Sequence, residues 1–397
     1  MHLQRIQVPD FRALKNVDIS FEKEFTPRIF PLGSQNGGGK STLLQLIFVL
    51  LHCAGNADRV EFIQNLLHGF QVNDESGKRT LAIVDIWDGS KTVKLDFFIC
   101  SESYILNLSN GEYMESSIVN LFNQDNEIKL MSFYEEKSEK HITLSFKHIT
   151  LSFICNFKSA QNEALFFQFD GIDIDEVNKF VIELSNKIFL TAHISQIFLF
   201  LQPNNRKSLF KAQVNNQTNY YQQIKAANSK LPGFFTYDFL SIDILIEAFK
   251  KARNDDFAQA VKQKGNYGNN YVKLLDELNN LLSNKKINVQ PDLSGINFKI
   301  NGDETELYPE DLSHGELKRL CIYMWLKHNK IEDAIVLMDE LEISFHPDWQ
   351  YQIVRDLEEW GATNQYILAT HSYEICQAVT PAHVKELDPK LQARTIQ

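Results

Sequence analysis

Pro31-Leu-Gly-Ser-Gln-Asn-Gly-Gly-Gly-Lys-Ser-Thr42, continued by Leu43-Leu-Gln-Leu-Ile-Phe-Val-Leu-Leu51, is the stretch on which the rest of the chain depends. An apolar segment runs into a glycine-rich turn, and the turn runs into an apolar helix. Gly37, Gly38 and Gly39 have no Cβ, so the turn can point successive backbone N–H groups inward at a polyphosphate. Ser34, Asn36 and Thr42 belong to the same cradle. Lys40 reaches the β- and γ-phosphates as a point charge, and the Ser41 hydroxyl is placed to ligate Mg²⁺. The helix that follows adds its positive N-terminal end. One position departs from the strict G-x-x-x-x-G-K-[ST] spacing: Ser34 stands where the first glycine belongs, with Gly33 one residue early. The plainer reading is a glycine-rich loop before an ordinary core helix. The Gly-Lys-Ser-Thr ending and the motifs downstream weigh against it.

A chain of 397 residues is long for one core and implies two lobes or a core with an insertion. Hydrophobic content of 44% and charged content of 23% are ordinary for a soluble globular protein. No apolar run is long enough to span a membrane, and no secretory h-region follows Met1. Five dispersed cysteines without C-x-x-C spacing read as reduced core residues, so a cytoplasmic location is expected. A net charge of −11 weighs against a generally basic, nucleic-acid-coating surface but leaves room for a local basic groove.

Two strands open the chain: Leu3, Ile6 and Val8 lead to Phe11-Arg12, then Val17, Ile19 and Phe21 alternate with polar residues. Arg12, close in sequence to the glycine turn, is a candidate phosphate or adenine contact, with a surface arginine as the competing reading. Residues 54–78 read as a connector with a short helix near Glu61–Leu67. Strands are expected at Leu81–Trp87, Thr92–Cys100 and Tyr104–Leu108. The six letters His141–Phe146 recur at His148–Phe153, as two turns of a β meander or one long strand. From about Glu176, Val181, Ile182, Leu184 and Ile188 carry helical spacing, and residues 238–283 carry more of it. Ile287, Val289, Phe298 and Ile300 return to β character. Three parts follow: residues 1–175, an N-terminal lobe with the glycine turn and the β meander; 176–286, a helical insertion; and 287–397, a C-terminal lobe.

The C-terminal lobe repeats the theme of phosphate chemistry. Leu312-Ser-His-Gly-Glu316 precedes an amphipathic helix, and Ser313 with Glu316 matches a capping box, a reading that needs no ligand. Ala334-Ile-Val-Leu-Met338 is a buried-strand run ending in Asp339-Glu340. Asp339 can hold Mg²⁺ and Glu340 can polarise an attacking water as general base. Glu342 and Phe345-His-Pro-Asp348 follow, then a helix to Trp360. Tyr366–Thr370 is another buried strand, ending in His371-Ser372, where His371 can meet a γ-phosphate or orient the water.

The order Walker A, Leu-Ser-x-Gly-Glu, strand–Asp-Glu, strand–Thr-His-Ser resembles the ABC-type ATPases of the SMC/RecF/OLD group, over residues 1–52 and 308–375. Within that group the loop running to Leu51-His52-Cys53 and the short helical insertion look most like the PtuA family, the ATPase subunits of Septu-type anti-phage systems. The resemblance implies an α/β P-loop NTPase head with a β-rich N-terminal lobe and a helical insertion, using ATP and Mg²⁺. It also implies a Q-loop glutamine, for which Gln196 is the candidate and Gln202 the second. Since Walker A and signature face different nucleotides in such proteins, Ser313 and Gly315, with Glu316, would cap the γ-phosphate on another copy's Lys40. A homodimer or larger homo-oligomer is therefore expected, regulating an HNH nuclease partner (PtuB-like). The rivals are a RecF-like DNA-repair ATPase that binds DNA, and a structural module that nucleotide merely locks.

Overall fold

The computed structural model describes residues 1–72, 76–109, 121–122, 143–146, 149–157, 162–193, 201–202, 204, 206, 229–237, 242–263, 265–303 and 305–387. Strands β1 (His2–Phe11), β2 (Leu14–Ser20) and β3 (Ile29–Gly33) lead to helices α1 (Lys40–Cys53) and α2 (Val60–Leu66). Next come β4 (Lys78–Trp87), β5 (Thr92–Ser101), α3 (Glu102–Ser109), β6 (Thr143–Phe146), β7 (Ile149–Asn156) and β8 (Glu163–Asp170). The middle holds α4 (Ile174–Ser185), β9 (Ile188–Ala192), β10 (Phe234–Thr236), α5 (Ile242–Lys262) and α6 (Asn270–Leu281). The chain continues through β11 (Lys285–Val289), β12 (Ile296–Ile300), β13 (Glu306–Leu307), α7 (His314–His328) and β14 (Ile335–Asp339). It closes with α8 (Pro347–Trp360), β15 (Gln365–Ala369), α9 (Tyr373–Gln377) and β16 (Lys385–Glu386).

Two large sheets divide the work. One is antiparallel, in the order β2-β1-β4-β5-β8-β7-β6; the other is parallel, in the order β10-β9-β14-β15-β3-β16. Every residue of β14 and β15 is buried, the pattern of parallel strands covered on both faces. Helix α1 lies between the sheets, with Leu43 to Cys53 buried without a break, which is why its sequence is apolar all round. The opposite face of the parallel sheet packs on α5 to α8 and on the small β11-β12-β13 sheet.

Helix α7 is also buried nearly all round, charges included. Arg319 Nε donates to Asp356 Oδ2 at 2.7 Å, and its guanidinium lies 5.9 Å from the ring centres of both Trp349 and Trp360. Removing one partner of a buried pair strands the other charge, so Asp356→Ala is expected to cost about 3–5 kcal/mol in urea unfolding.

His52, at the end of α1, is held neutral. Its Nδ1 donates to the Ser185 carbonyl at 2.7 Å, which leaves Nε2 to accept from Arg59 at 3.2 Å. Burial, then the Arg59 charge, pulls its pKa down to about 3. The unfolded chain takes up this proton near pH 6.5 and the folded chain refuses it, so stability falls as pH drops from about 6.5 towards 3. His52→Gln, whose amide can donate and accept in the same place, should flatten the slope of Tm against pH over that window.

Several elements differ from the sequence reading. Tyr104–Leu108 is helical, within α3, with Ile105 and Ser109 at i, i+4 buried and Tyr104, Leu106 and Leu108 partly buried against the same core. Ile188 starts a strand: the helix stops at Ser185, and the Ile335 N–H donates to the Lys187 carbonyl as β9 joins β14. Of the two readings of the repeat, the meander holds: Thr143–Phe146 pairs antiparallel with Ile149–Ser152, and β7 with β8. Residues 176–286, read as a helical insertion, also supply β9 and β10 to the parallel sheet.

Candidate functional site

Strands β3, β15 and β14 are parallel neighbours, so Gly33, Ala369 and Asp339 end at one edge of the sheet, where such folds bind ligands. With β15 in the middle, His371 emerges between the Lys40 loop and the Asp339 turn. Gly37 and Gly39 take φ of 81° and 89°. A Cβ on Gly39 would stand 2.7 Å from Leu14, and one on Gly38 would collide with the Ser34 hydroxyl. Ser34 thus fills the space beside Gly38. Its Oγ and carbonyl accept hydrogen bonds from Lys40 Nζ at 3.1 and 3.3 Å.

Lys40 is 6% exposed, and burial pulls its ammonium below the ordinary value against the attraction of Glu342, Asp339 and Glu340. Nζ stands 3.0 Å from His371 Nε2, with the ammonium donating. Ser41 Oγ donates to Asp339 Oδ1 at 2.9 Å. Asp339 is 1% exposed, and burial pushes it up to about 7, with Glu340 and Glu342 adding and the Ser41 hydrogen bond opposing. Among the described residues Asp339 Oδ2 is buried without a hydrogen-bond partner. A hydroxyl and a carboxylate with a spare buried oxygen, beside a phosphate loop, form a hard-oxygen set that fits Mg²⁺.

The turn after β14 is strained where chemistry is expected. Glu340 and Ser344 have φ of 51° and 73°, left-handed values for residues with a Cβ. Glu340 N–H donates to the Ala369 carbonyl at 2.9 Å. Lys318, from α7, donates to the carbonyls of Glu340 and Ile343 at 3.1 and 3.2 Å and so pins the turn. His346 caps α8, with Pro347 in the first turn.

At the N-terminus of α7 both halves of the capping box form: Glu316 N–H donates to Ser313 Oγ at 3.2 Å, and Ser313 N–H to Glu316 Oε2 at 3.0 Å. The Glu316 carboxylate also takes two hydrogen bonds from Lys285 Nζ at 2.8 and 2.9 Å, so its oxygens serve the helix end and β11. Ser313 is exposed. Gly315 packs on the strained turn: a Cβ there would lie 2.8 Å from the Ser344 carbonyl and 3.1 Å from the Trp349 ring. Gly315→Ala is expected to destabilise the chain by about 1–3 kcal/mol in denaturant unfolding.

The structure therefore brings Ser34, Lys40, Ser41, Asp339 and His371 together, with Gly37, Gly38 and Gly39 shaping the loop. Asn36 is exposed on that loop and Thr42 half-buried in the first turn of α1. Arg12 instead donates to the Leu66 carbonyl at 2.7 Å. Gln196 lies outside the described residues, and Gln202 is exposed. Two participants were given no site role from sequence. Glu342 was named there only as the start of the segment running to His346-Pro347. Lys318 had no signal, since only folding carries it to a turn 22 residues on.

The family described as AAA ATPase domain (AAA_15) matches residues 1–376. The Retron Vc95 probable ATPase of Vibrio cholerae serotype O1 biovar El Tor is 32% identical over 157 residues, 33% of this chain and 30% of that protein. The Retron Ec83 probable ATPase of Escherichia coli is 36% identical over 51 residues, 13% of this chain and 9% of that protein. The chain thus spans less than a third of either curated relative. The SMC head domain from Thermotoga maritima is similar with a TM-score of 0.41 and 9% identity, covering 96% of this chain and 92% of that one. An SMC head bound to the C-terminal winged-helix domain of ScpA gives 0.39 and 12%, covering 96% and 93%. With the family match running from residue 1 to residue 376 over this loop, signature and paired-acid geometry, the chain belongs to the AAA_15 family of AAA ATPase domains, with motifs in the ABC-type order.

Proposed function

We propose that this chain binds and hydrolyses ATP at sites shared between copies of itself and, in the manner of PtuA in Septu-type systems, regulates a separate HNH nuclease in anti-phage defence. What carries the ATPase part is one meeting point: Lys40 Nζ 3.0 Å from His371, and Ser41 Oγ 2.9 Å from Asp339, at the C-terminal edge of a parallel sheet. Arriving phosphate would take the Lys40 ammonium from its present acceptors, Ser34 and His371. Ser41 and Asp339 would hold Mg²⁺, which supplies charge neutralisation on the phosphate oxygens. In this reading Glu340 accepts the proton of the attacking water and His371 orients it.

The exposed Ser313, at a helix N-terminus, suits a phosphate presented by a second copy. Both curated relatives are named as probable ATPases of retrons, and no described helix is long and apolar enough to cross a membrane. The nuclease partner and the defence role rest on the sequence resemblance.

Mass photometry of wild type, Lys40→Ala and Glu340→Gln, with and without ATP–Mg²⁺, tests the shared site. Oligomers of two or more copies, tightened by ATP in wild type and Glu340→Gln alone, are expected. A monomer indifferent to ATP would overturn the reading. Steeply salt-dependent DNA binding that requires ATP and no nuclease would move it to DNA repair.

A further inference from the structure

We propose that Glu342 is a positioning residue of this site, tethering the loop after β15 so that the His371 ring meets Lys40. This rests on the ATPase reading above. The His371 N–H lies beyond the last paired residue of β15, and it donates to Glu342 Oε1 at 2.6 Å, a short charge-assisted bond. The ring on the same residue holds Nε2 3.0 Å from Lys40 Nζ. One carboxylate therefore sets the distance between a loop and the phosphate lysine.

Glu342 is itself fixed from behind. Its carbonyl accepts from Phe345 N–H at 3.0 Å, and Lys318 holds the carbonyls of its neighbours Glu340 and Ile343. Hydrogen bonds joined by the backbone of the strained turn thus link α7, the signature helix, through Glu342 to His371 and Lys40. Glu342 Oε2 is buried with no hydrogen-bond partner among the described residues, so the carboxylate has no competing tether. Its charge is the strongest acidic influence on Lys40, ahead of Asp339 and Glu340.

Full-length wild type, Glu342→Gln, Glu342→Ala and Lys40→Ala would be compared in two assays. In hydrogen–deuterium exchange without nucleotide, Glu342→Ala should speed exchange of the peptide around His371 at least tenfold, and glutamine, which keeps an acceptor oxygen, should restore most of the protection. In ATP hydrolysis, Glu342→Ala should lower kcat at least tenfold with KM within threefold, and glutamine should recover most of that loss. Unchanged exchange and unchanged kcat in Glu342→Ala would overturn the proposal, as would glutamine failing as badly as alanine in both assays. Faster exchange in Glu342→Ala, beside a wild type that hydrolyses no ATP and does not differ from Lys40→Ala, would sustain the tether and overturn the ATPase reading.

Discussion

Lys40→Ala is expected to cut ATP hydrolysis by about 10²- to 10³-fold in kcat/KM, the scale of losing one preorganised charge donor from a dry site. Most of the loss should appear as weaker nucleotide binding, because Lys40 is the cation that the loop presents and the wall around it is acidic: Asp339, Glu340 and Glu342 all act on it. Without the ammonium, those carboxylates would repel a triphosphate directly. Titration with a fluorescent ATP analogue beside steady-state hydrolysis measures both effects. Retained binding with intact turnover would show that the Gly37–Gly39 loop cradles no phosphate. The fold should survive, since the lysine's partners are Ser34 and His371 rather than the core.

Glu340→Gln should separate binding from chemistry. Removing a positioned general base typically costs about 10²- to 10⁴-fold, so turnover should fall by that much while the ATP-bound oligomer persists. The backbone supports a specific role: φ of 51° is costly for glutamate, and the turn is held in it by Lys318 below and by the Ala369 carbonyl beside it. Glutamine keeps the shape and loses only the proton acceptor. Single-turnover hydrolysis together with mass photometry reads the two effects apart. Unchanged turnover would assign Glu340 to structure and favour the reading in which nucleotide merely locks an interface.

Much of this arrangement was legible in the chain because it is local. The glycine turn before α1, the Ser313–Glu316 cap of α7, and the apolar runs of β14 and β15 ending in Asp339-Glu340 and Thr370-His371 each follow from spacing within about a dozen residues. Helices α5 and α6 were marked by apolar periodicity over residues 238–283 for the same reason. Family likeness then linked the pieces in order.

What spacing could not supply was everything set by distant neighbours. Tyr104–Leu108 has a strand-like composition, yet it is a helix whose Ile105 is buried against the core. Strands β9 and β10 took their state from pairing with β14 and with each other. Glu342 and Lys318 acquired partners 29 and 22 residues away along the chain. The sequence by itself determined the glycine turn, the cap of α7 and the apolar strands that end in acids and histidine, since glycine freedom, helix capping and apolar runs act over a few bonds. Only the tertiary structure decided that β15 lies between β3 and β14, and so that His371 meets Lys40, because strand order is chosen by the burial of whole sheet faces.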